Sequence, residues 1–366
     1  HDLVDAQLGD GLPAHVLACV PRATIDQACA PGGTLLVIGS DPKEELPVLF
    51  LRIRDTLTRR QGRVVEISPI ETSLTALAAH SLRSVPGAVH ETVHALLKGQ
   101  GDLAGVRQAL TAGPLTVLVG RGSYAESPDA VVAAIGALAQ AFPEARFLSG
   151  LRRSNVHGAL DLGLTPGLLP GRVDLADGRD WFGAHWDTVP DRAGLDTAGI
   201  LAAAAEGRID TLVLLGADPL SDFPDAQLAA RGIAGARTVI ALSTLPTPST
   251  AAADIVLPVA GFAEVDGTTT NLEGRVTAVN QKVTPPGTAR PDWMIAAELA
   301  LRMGTDLGFT SPAEILDEIV RLSPIHAGIT AEALAATPDG LVAAVPTPIV
   351  PSSADEEAAA PTEADE

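Results

Sequence analysis

The segment "HETVH" sets His90 and His94 four residues apart with Glu91 beside the first imidazole. On a helix this spacing puts both imidazoles on one face, and the glutamate is placed as the general base of a zinc hydrolase. Such a zinc needs a third protein ligand, and no His or Glu follows at a spacing that supplies one. The segment is therefore expected to be an ordinary exposed helix after the Pro86-Gly87 turn. Cys19 and Cys29 are the two cysteines, with no CxxC pair, so this chain alone is not expected to hold an iron–sulfur cluster or a cysteine-rich zinc site. They fit small buried apolar residues in a reducing compartment. "DWFGAHWD" concentrates Trp181 and Trp186 around His185, an aromatic cluster suited to anchoring a loop to its own domain or to a partner. No GxSxG elbow, GxGxxG fingerprint or phosphate-cradling GxxxxGK[ST] loop is present.

A different pair of segments is repeated. "GSDPKEELP" from Gly39 and "GADPLSDFP" from Gly216 align Gly39, Asp41, Pro42, Glu45 and Pro47 with Gly216, Asp218, Pro219, Asp222 and Pro224. In each, the glycine lets the chain turn sharply after a strand, the aspartate accepts hydrogen bonds from free amides, and proline starts a helix. The likeness continues downstream, where "VVEIS" answers "TVIALS" and "AAHSLRSVPG" answers "AADIVLPVAG". Ligands of open α/β sheets settle at the carboxyl ends of strands, which is where these corners fall.

The elements that must position those corners are short β-branched runs alternating with Ala/Leu-rich helical stretches, the signature of βαβ units and a mainly parallel sheet. Strands are expected at 34–38, 63–67, 115–119, 211–215 and 238–242. Helices are expected at 45–60, 88–97, 128–141, 197–206, 225–231 and 293–303. The first helix places Val48, Leu49, Ile53 and Leu57 on one side, with Gly62 as its stop. The stretch 152–190, rich in Gly, Pro and Asp, reads as a long irregular connection. The expected organisation is a first α/β unit over 1–150 and a second over 151–309, the latter including a hairpin at 254–280. A helical segment at 310–337 and a disordered acidic Pro/Ala-rich tail at 338–366 follow.

With 366 residues and 46% hydrophobic content, the chain can bury two cores. Its formal charge of −20 repels phosphate backbones and anionic lipid, so neither nucleic acid nor a membrane surface is an expected partner. No apolar run reaches the ~18 residues of a membrane span. The chain starts at His1 rather than Met, and chemistry is expected to sit upstream of it.

The most specific stretch is "ADIVLPVAGFAEVDGTTTNLEGRVTAVNQKVTPPGTARPDW", residues 253–293. It resembles the molybdopterin oxidoreductase superfamily, in which an AD-VVLP strand precedes a Glu, a Gly-Thr pair, an Asn, an EGR turn, PPG and a Trp-containing helix. "VIGSDPKEELPVLFLRIRDTLTRRQGRVVEIS", "NVHGALDLGLTPGLLPG" and "LLGADP" match further motifs of the superfamily in the expected order, so the resemblance covers about 34–327. It implies two related Rossmann-like αβα units with mainly parallel sheets, as in formate dehydrogenase. Each unit would hold one guanine dinucleotide of a bis-pterin molybdenum or tungsten cofactor in a crevice formed by Gly39, Asp41, Pro42, Gly216, Asp218, Pro219, Glu264, Gly267, Thr268 and Asn271.

The superfamily commonly has an acid, often followed by Pro-Arg, after the second strand of each unit. Here Ser68-Pro69 and Ser243-Thr244 stand at those places. A carboxylate pairs with guanine through charge-assisted hydrogen bonds that serine cannot replace, so the crevice is expected to be vestigial and to bind no molybdopterin. Within the superfamily the wording is most similar to the C-terminal part of the large iron–sulfur subunits of proton-pumping NADH-quinone oxidoreductases, the complex I family. That likeness implies a scaffold without a redox centre of its own and with no catalytic or metal-ligating residue. Its partners would be other peripheral-arm subunits and an upstream region carrying [2Fe–2S] and [4Fe–4S] clusters, on the cytoplasmic side of the bacterial inner membrane without direct insertion. The alternative is the C-terminal part of an active molybdopterin-dependent enzyme such as a formate dehydrogenase.

Overall fold

The computed structural model describes residues 20–120, 125–151, 154–186 and 188–344. Its first unit is a five-stranded parallel sheet in the order β3-β2-β1-β4-β5, formed by β1 (Thr34–Ile38), β2 (Arg63–Ser68), β3 (His80–Arg83), β4 (Leu115–Val119) and β5 (Arg146–Ser149). All five residues of β1 are buried because helices cover both faces, which is why the run is uniformly apolar instead of alternating. Leu35 and Val37 pack on Leu49 and Ile53 of α1 (Pro47–Arg59). Leu36 and Ile38 share the opposite core with Val89, Val93 and Leu96 of α2 (Val89–Lys98) and Val106 of α3 (Leu103–Leu110). Val131, Ala134, Ile135 and Leu138 of α4 (Pro128–Ala141) complete that core.

Two details of α1 differ from the sequence expectation. Val48 is mostly exposed, because the buried face follows Leu49, Ile53 and Thr56. The left-handed residue past the helix end is Gln61, at φ 56°, and not Gly62. Gly62 is needed for space, since a Cβ there would sit 2.5 Å from the Thr56 methyl.

The stretch 152–190 is built, not irregular. It holds α5 (Val156–Asp161), a minimal antiparallel hairpin of β6 (Leu168–Leu169) and β7 (Val173–Asp174), and α6 (Leu175–Gly183). These elements are too short to show a period, and Gly163, Gly167, Gly171 and Arg172 take the left-handed conformations between them. Trp181 and Trp186 pack with Phe182, Leu169 and Leu322, and the Trp181 indole donates to the Leu322 carbonyl at 3.3 Å, so the aromatic cluster anchors the segment within this chain.

The second unit contains α7 (Thr197–Ala205), β8 (Thr211–Leu215), α8 (Ala226–Gly235), β9 (Thr238–Ser243) and β10 (Ile255–Pro258), with a parallel sheet in the order β10-β9-β8. The hairpin expected at 254–280 is confined to β11 (Gly267–Thr270) and β12 (Arg275–Val279); residues 255–258 join the parallel sheet instead, beside Ile240 to Ser243. Beyond it come α9 (Asp292–Arg302), α10 (Pro312–Leu322) and α11 (Ala331–Ala336). Part of the expected tail is ordered, since β13 (Leu341–Val342) pairs with β12 and Ala343 is buried; residues 345–366 lie outside the described residues. No helix among the described residues is long and apolar enough to cross a membrane.

Candidate functional site

The two repeated corners turn alike at their glycines. Gly39 and Gly216 both stand at φ 62°, and each donates its amide across the sheet end, Gly39 to the Ile67 carbonyl at 2.9 Å and Gly216 to that of Leu242 at 2.8 Å. Asp41 accepts from the Lys43 amide at 3.2 Å, capping the turn that Pro42 begins. Its carboxylate also accepts from the Ser73 amide at 3.1 Å and from the Ser73 hydroxyl. Asp218, ahead of buried Pro219, accepts from the Ser249 amide at 3.0 Å and from the Ser249 hydroxyl. Burial works against ionisation of Asp218, yet the hydrogen bonds from Ser249, Ser221 and Thr247 hold its carboxyl below the usual range.

The matching continues around each corner. Thr72 donates its amide to the Thr75 hydroxyl at 2.9 Å, and Thr247 does the same to Thr250 at 2.7 Å. The pairing Val65 with His80 and Ile240 with Ile255 shifts the last repeated block by one residue from the sequence alignment, so that Ala79 answers Asp254. The serines at the ends of the second strands also behave alike. Ser68 accepts from the Ile70 amide at 3.3 Å, and Ser243 bonds Leu245 through both its carbonyl at 2.8 Å and its amide at 3.4 Å. Each thus closes a local turn, leaving Ile70 and Leu245 about two thirds exposed.

The crevice of the first sheet lies where strand order reverses, between β1 and β4. Gly120 donates to the Ile38 carbonyl at 2.7 Å, and a Cβ on it would fall 2.6 Å from that of Ser40. Gly39, Pro69, Val89, Glu126 and Ile135 line a small cavity of about 10 Å³, roughly one water. Glu126 closes it by accepting from Gly87 and Val89 amides at 2.9 and 3.4 Å, capping α2 from a distance. A second acid, Glu66, is wholly buried within β2 and accepts from the hydroxyls of Thr72, Thr75 and Ser81. Sequence reasoning passed over both; an acid inside the apolar run "VVEIS" was the visible signal for Glu66.

The remaining candidates fall elsewhere. Glu264 accepts from the Gly261 amide at 2.7 Å and caps its own turn. Asn271 accepts from the amides of Glu273 and Arg275 at 3.0 and 2.9 Å, shaping the β11–β12 turn. Gly267 and Thr268 line a cavity of about 600 Å³ walled by Trp293, Ile315, Leu316 and Leu334. The hydrogen bonds described for Asp41 and Asp218 stay within their own units, and the ten candidates lie in two corners, the Gly261–Glu264 turn and the β11–β12 hairpin. His94 is exposed on α2 and His90 half-buried, and no three His, Cys, Asp or Glu among the described residues are grouped to hold a metal. Cys29 is buried; Cys19 lies outside the described residues.

A buried charge centre was not foreseen. Asp161, at the end of α5, accepts from Arg22 Nη1 at 3.1 Å and from Arg172 Nε at 2.5 Å, with all three side chains buried. Beside it His157 meets the Ser149 hydroxyl at 3.1 Å, and burial followed by the Arg172 and Arg22 charges pushes its imidazole down to about 3. The hairpin is tied to the same region, because Asn155 accepts from the Thr270 amide at 2.9 Å and Glu273 from the Ile25 amide at 2.7 Å.

Comparison with known proteins places this geometry. The second G-type NADH-quinone oxidoreductase subunit of Rhizobium meliloti is 30% identical over 339 residues, covering 82% of this chain and 40% of that protein. F420-dependent formate dehydrogenase 1 subunit alpha of Methanococcus maripaludis is 33% identical over 192 residues, covering 52% of this chain and 28% of its own length. Among solved structures, acetylene hydratase from Pelobacter acetylenicus superposes with a TM-score of 0.58 at 16% identity, over 86% of this chain and 53% of that one, a likeness of fold. The chain thus spans well under half the length of these curated relatives. The sequence profile of the molybdopterin oxidoreductase family matches residues 25–302, and the chain belongs to that family.

Proposed function

We propose that the chain is the scaffold region of the large iron–sulfur subunit of a proton-pumping NADH-quinone oxidoreductase, with a vestigial dinucleotide crevice and no redox centre of its own. The observation that carries the reading is the fate of the two positions after β2 and β9. Ser68 and Ser243 occupy them, each engaged in its own turn with Ile70 or Leu245, so neither offers a carboxylate to guanine. Asp41 and Asp218, the aspartates of the two corners, accept from Ser73 and Ser249. These contacts support the reading that the crevice no longer holds a guanine dinucleotide, and no chemical step is derived through one.

Coverage favours this reading over an active formate dehydrogenase, since the NADH-quinone oxidoreductase relative matches four fifths of the chain and the formate dehydrogenase about half. On this account [2Fe–2S] and [4Fe–4S] clusters sit in an upstream region of the same subunit. Other peripheral-arm subunits hold the assembly on the cytoplasmic side of the bacterial inner membrane. A tagged parent protein isolated from its host should co-purify with rotenone-class-inhibitor-sensitive NADH-quinone reductase activity. Co-purification with formate-dependent dye reduction instead would overturn the assignment.

A further inference from the structure

The face of the β11–β12 hairpin that meets α10 and α11 is covered at one end and open at the other. Thr270 and Val276 pair across the hairpin and are buried, Val276 sharing a core with Leu316 and Leu334. Two residues further from the turn, Thr268 and Ala278 form the next pair on the same face, and both are exposed. They line the cavity of about 600 Å³, a size within the roughly 300–1,000 Å³ of small-molecule sites.

The residues around this space are aliphatic or small. α10 contributes Pro312, Ile315 and Ile319, which recur at helical spacing and give it an apolar stripe toward the cavity. From α11 come Ala331 and Ala335, one turn apart, whose methyl groups leave room that longer side chains would take up.

One donor in the wall is left over. Trp293 lines the cavity at the start of α9, and its indole Nε1–H is buried without a hydrogen-bond partner. A buried tryptophan ordinarily finds an acceptor, as Trp181 does at the Leu322 carbonyl. The charge around it is as informative. None of the described residues that line the cavity is basic, and the chain carries a net charge of −20, so an anion is disfavoured. A cation would find Asp266 alone, whose carboxylate already accepts from the Gln281 amide at 2.8 Å, and one engaged carboxylate does not offset the loss of a cation's hydration.

We propose that this cavity binds a free, uncharged aliphatic molecule that carries a carbonyl group. The hydrocarbon lies between Ala278 and the Ile315–Ile319 stripe, and the carbonyl oxygen accepts from Trp293 Nε1. The site shares no residue with either repeated corner and goes beyond the scaffold role proposed above.

Methyl octyl ketone is the probe, added to the 366-residue chain with its tryptophan indoles isotope-labelled. Of the three indole N–H resonances, that of Trp293 is expected to move downfield and saturate, while those of Trp181 and Trp186 stay in place. In calorimetry Trp293→Phe, which keeps an aromatic ring and loses the donor, should weaken binding about ten-fold. Decanoate should bind the unaltered chain about ten-fold less tightly than the ketone. Ala335→Phe should abolish binding at an unchanged melting temperature, and Ala331→Leu gives the same test if the larger ring unfolds the chain. Equal shifts of all three indoles, or undiminished binding by the filled variants, would overturn the proposal. So would a Trp293 indole proton that exchanges freely with water and ignores the ketone, since water alone would then be its acceptor. Loss of the response in the whole parent subunit within its complex would overturn it too, because protein would then fill the cavity.

Discussion

The aspartates of the two corners look like ligands in the sequence and act as latches in the structure. Each ties the turn after the first strand of its unit to the serine after the second, through one amide and one hydroxyl. Replacing Asp218 or Ser249 by alanine should each cost about 1–3 kcal/mol in urea unfolding. The double variant should cost much less than the sum, since the two share one interaction. The buried histidine makes a pH prediction at the same scale. At neutral pH His157 is uncharged in folded and unfolded chains alike. Below 6.5 the unfolded chain takes up a proton that the folded chain refuses until about pH 3. Stability should therefore fall by up to about 1.4 kcal/mol per pH unit through that window, and His326, also held down by burial, adds the same sign. Urea midpoints at pH 7, 6 and 5 check this, and His157→Gln should flatten the slope.

Among the elements, the end of α1 shows how a glycine can be identified correctly and explained wrongly. Gly62 lets the chain pass the Thr56 methyl, so Gly62→Ala should destabilise by about 1–3 kcal/mol, and Thr56→Ser, which removes that methyl, should restore most of it in thermal melts. The long apolar strands and helices were legible because each buries a continuous run or a repeating stripe, as in β1 or the Leu49–Ile53 face of α1. The stretch 152–190 was not, because its elements are two to nine residues long and are fixed by distant partners, Arg22 on Asp161 and Leu322 on Trp181. The corners were readable as a repeat, but their closure was not. Ser73 and Ser249 reach them from 32 and 31 positions away, and nothing local in the sequence distinguishes a serine that latches an aspartate from one that faces water.

For the whole molecule, two units that share the repeated corner are built differently. Among the described residues the first is a five-stranded sheet, and the second has three strands with β8 at one edge. Both carry serine where the family commonly has an acid, and both expose an aliphatic residue, Ile70 or Leu245, two positions on. The most direct test is the molybdenum, tungsten and pterin content of the parent subunit purified in its complex, by elemental mass spectrometry and by fluorescence after oxidation. Background levels of all three, alongside iron and acid-labile sulfide, are what this account predicts; molybdenum or tungsten in stoichiometric amount with a matching pterin signal would contradict it.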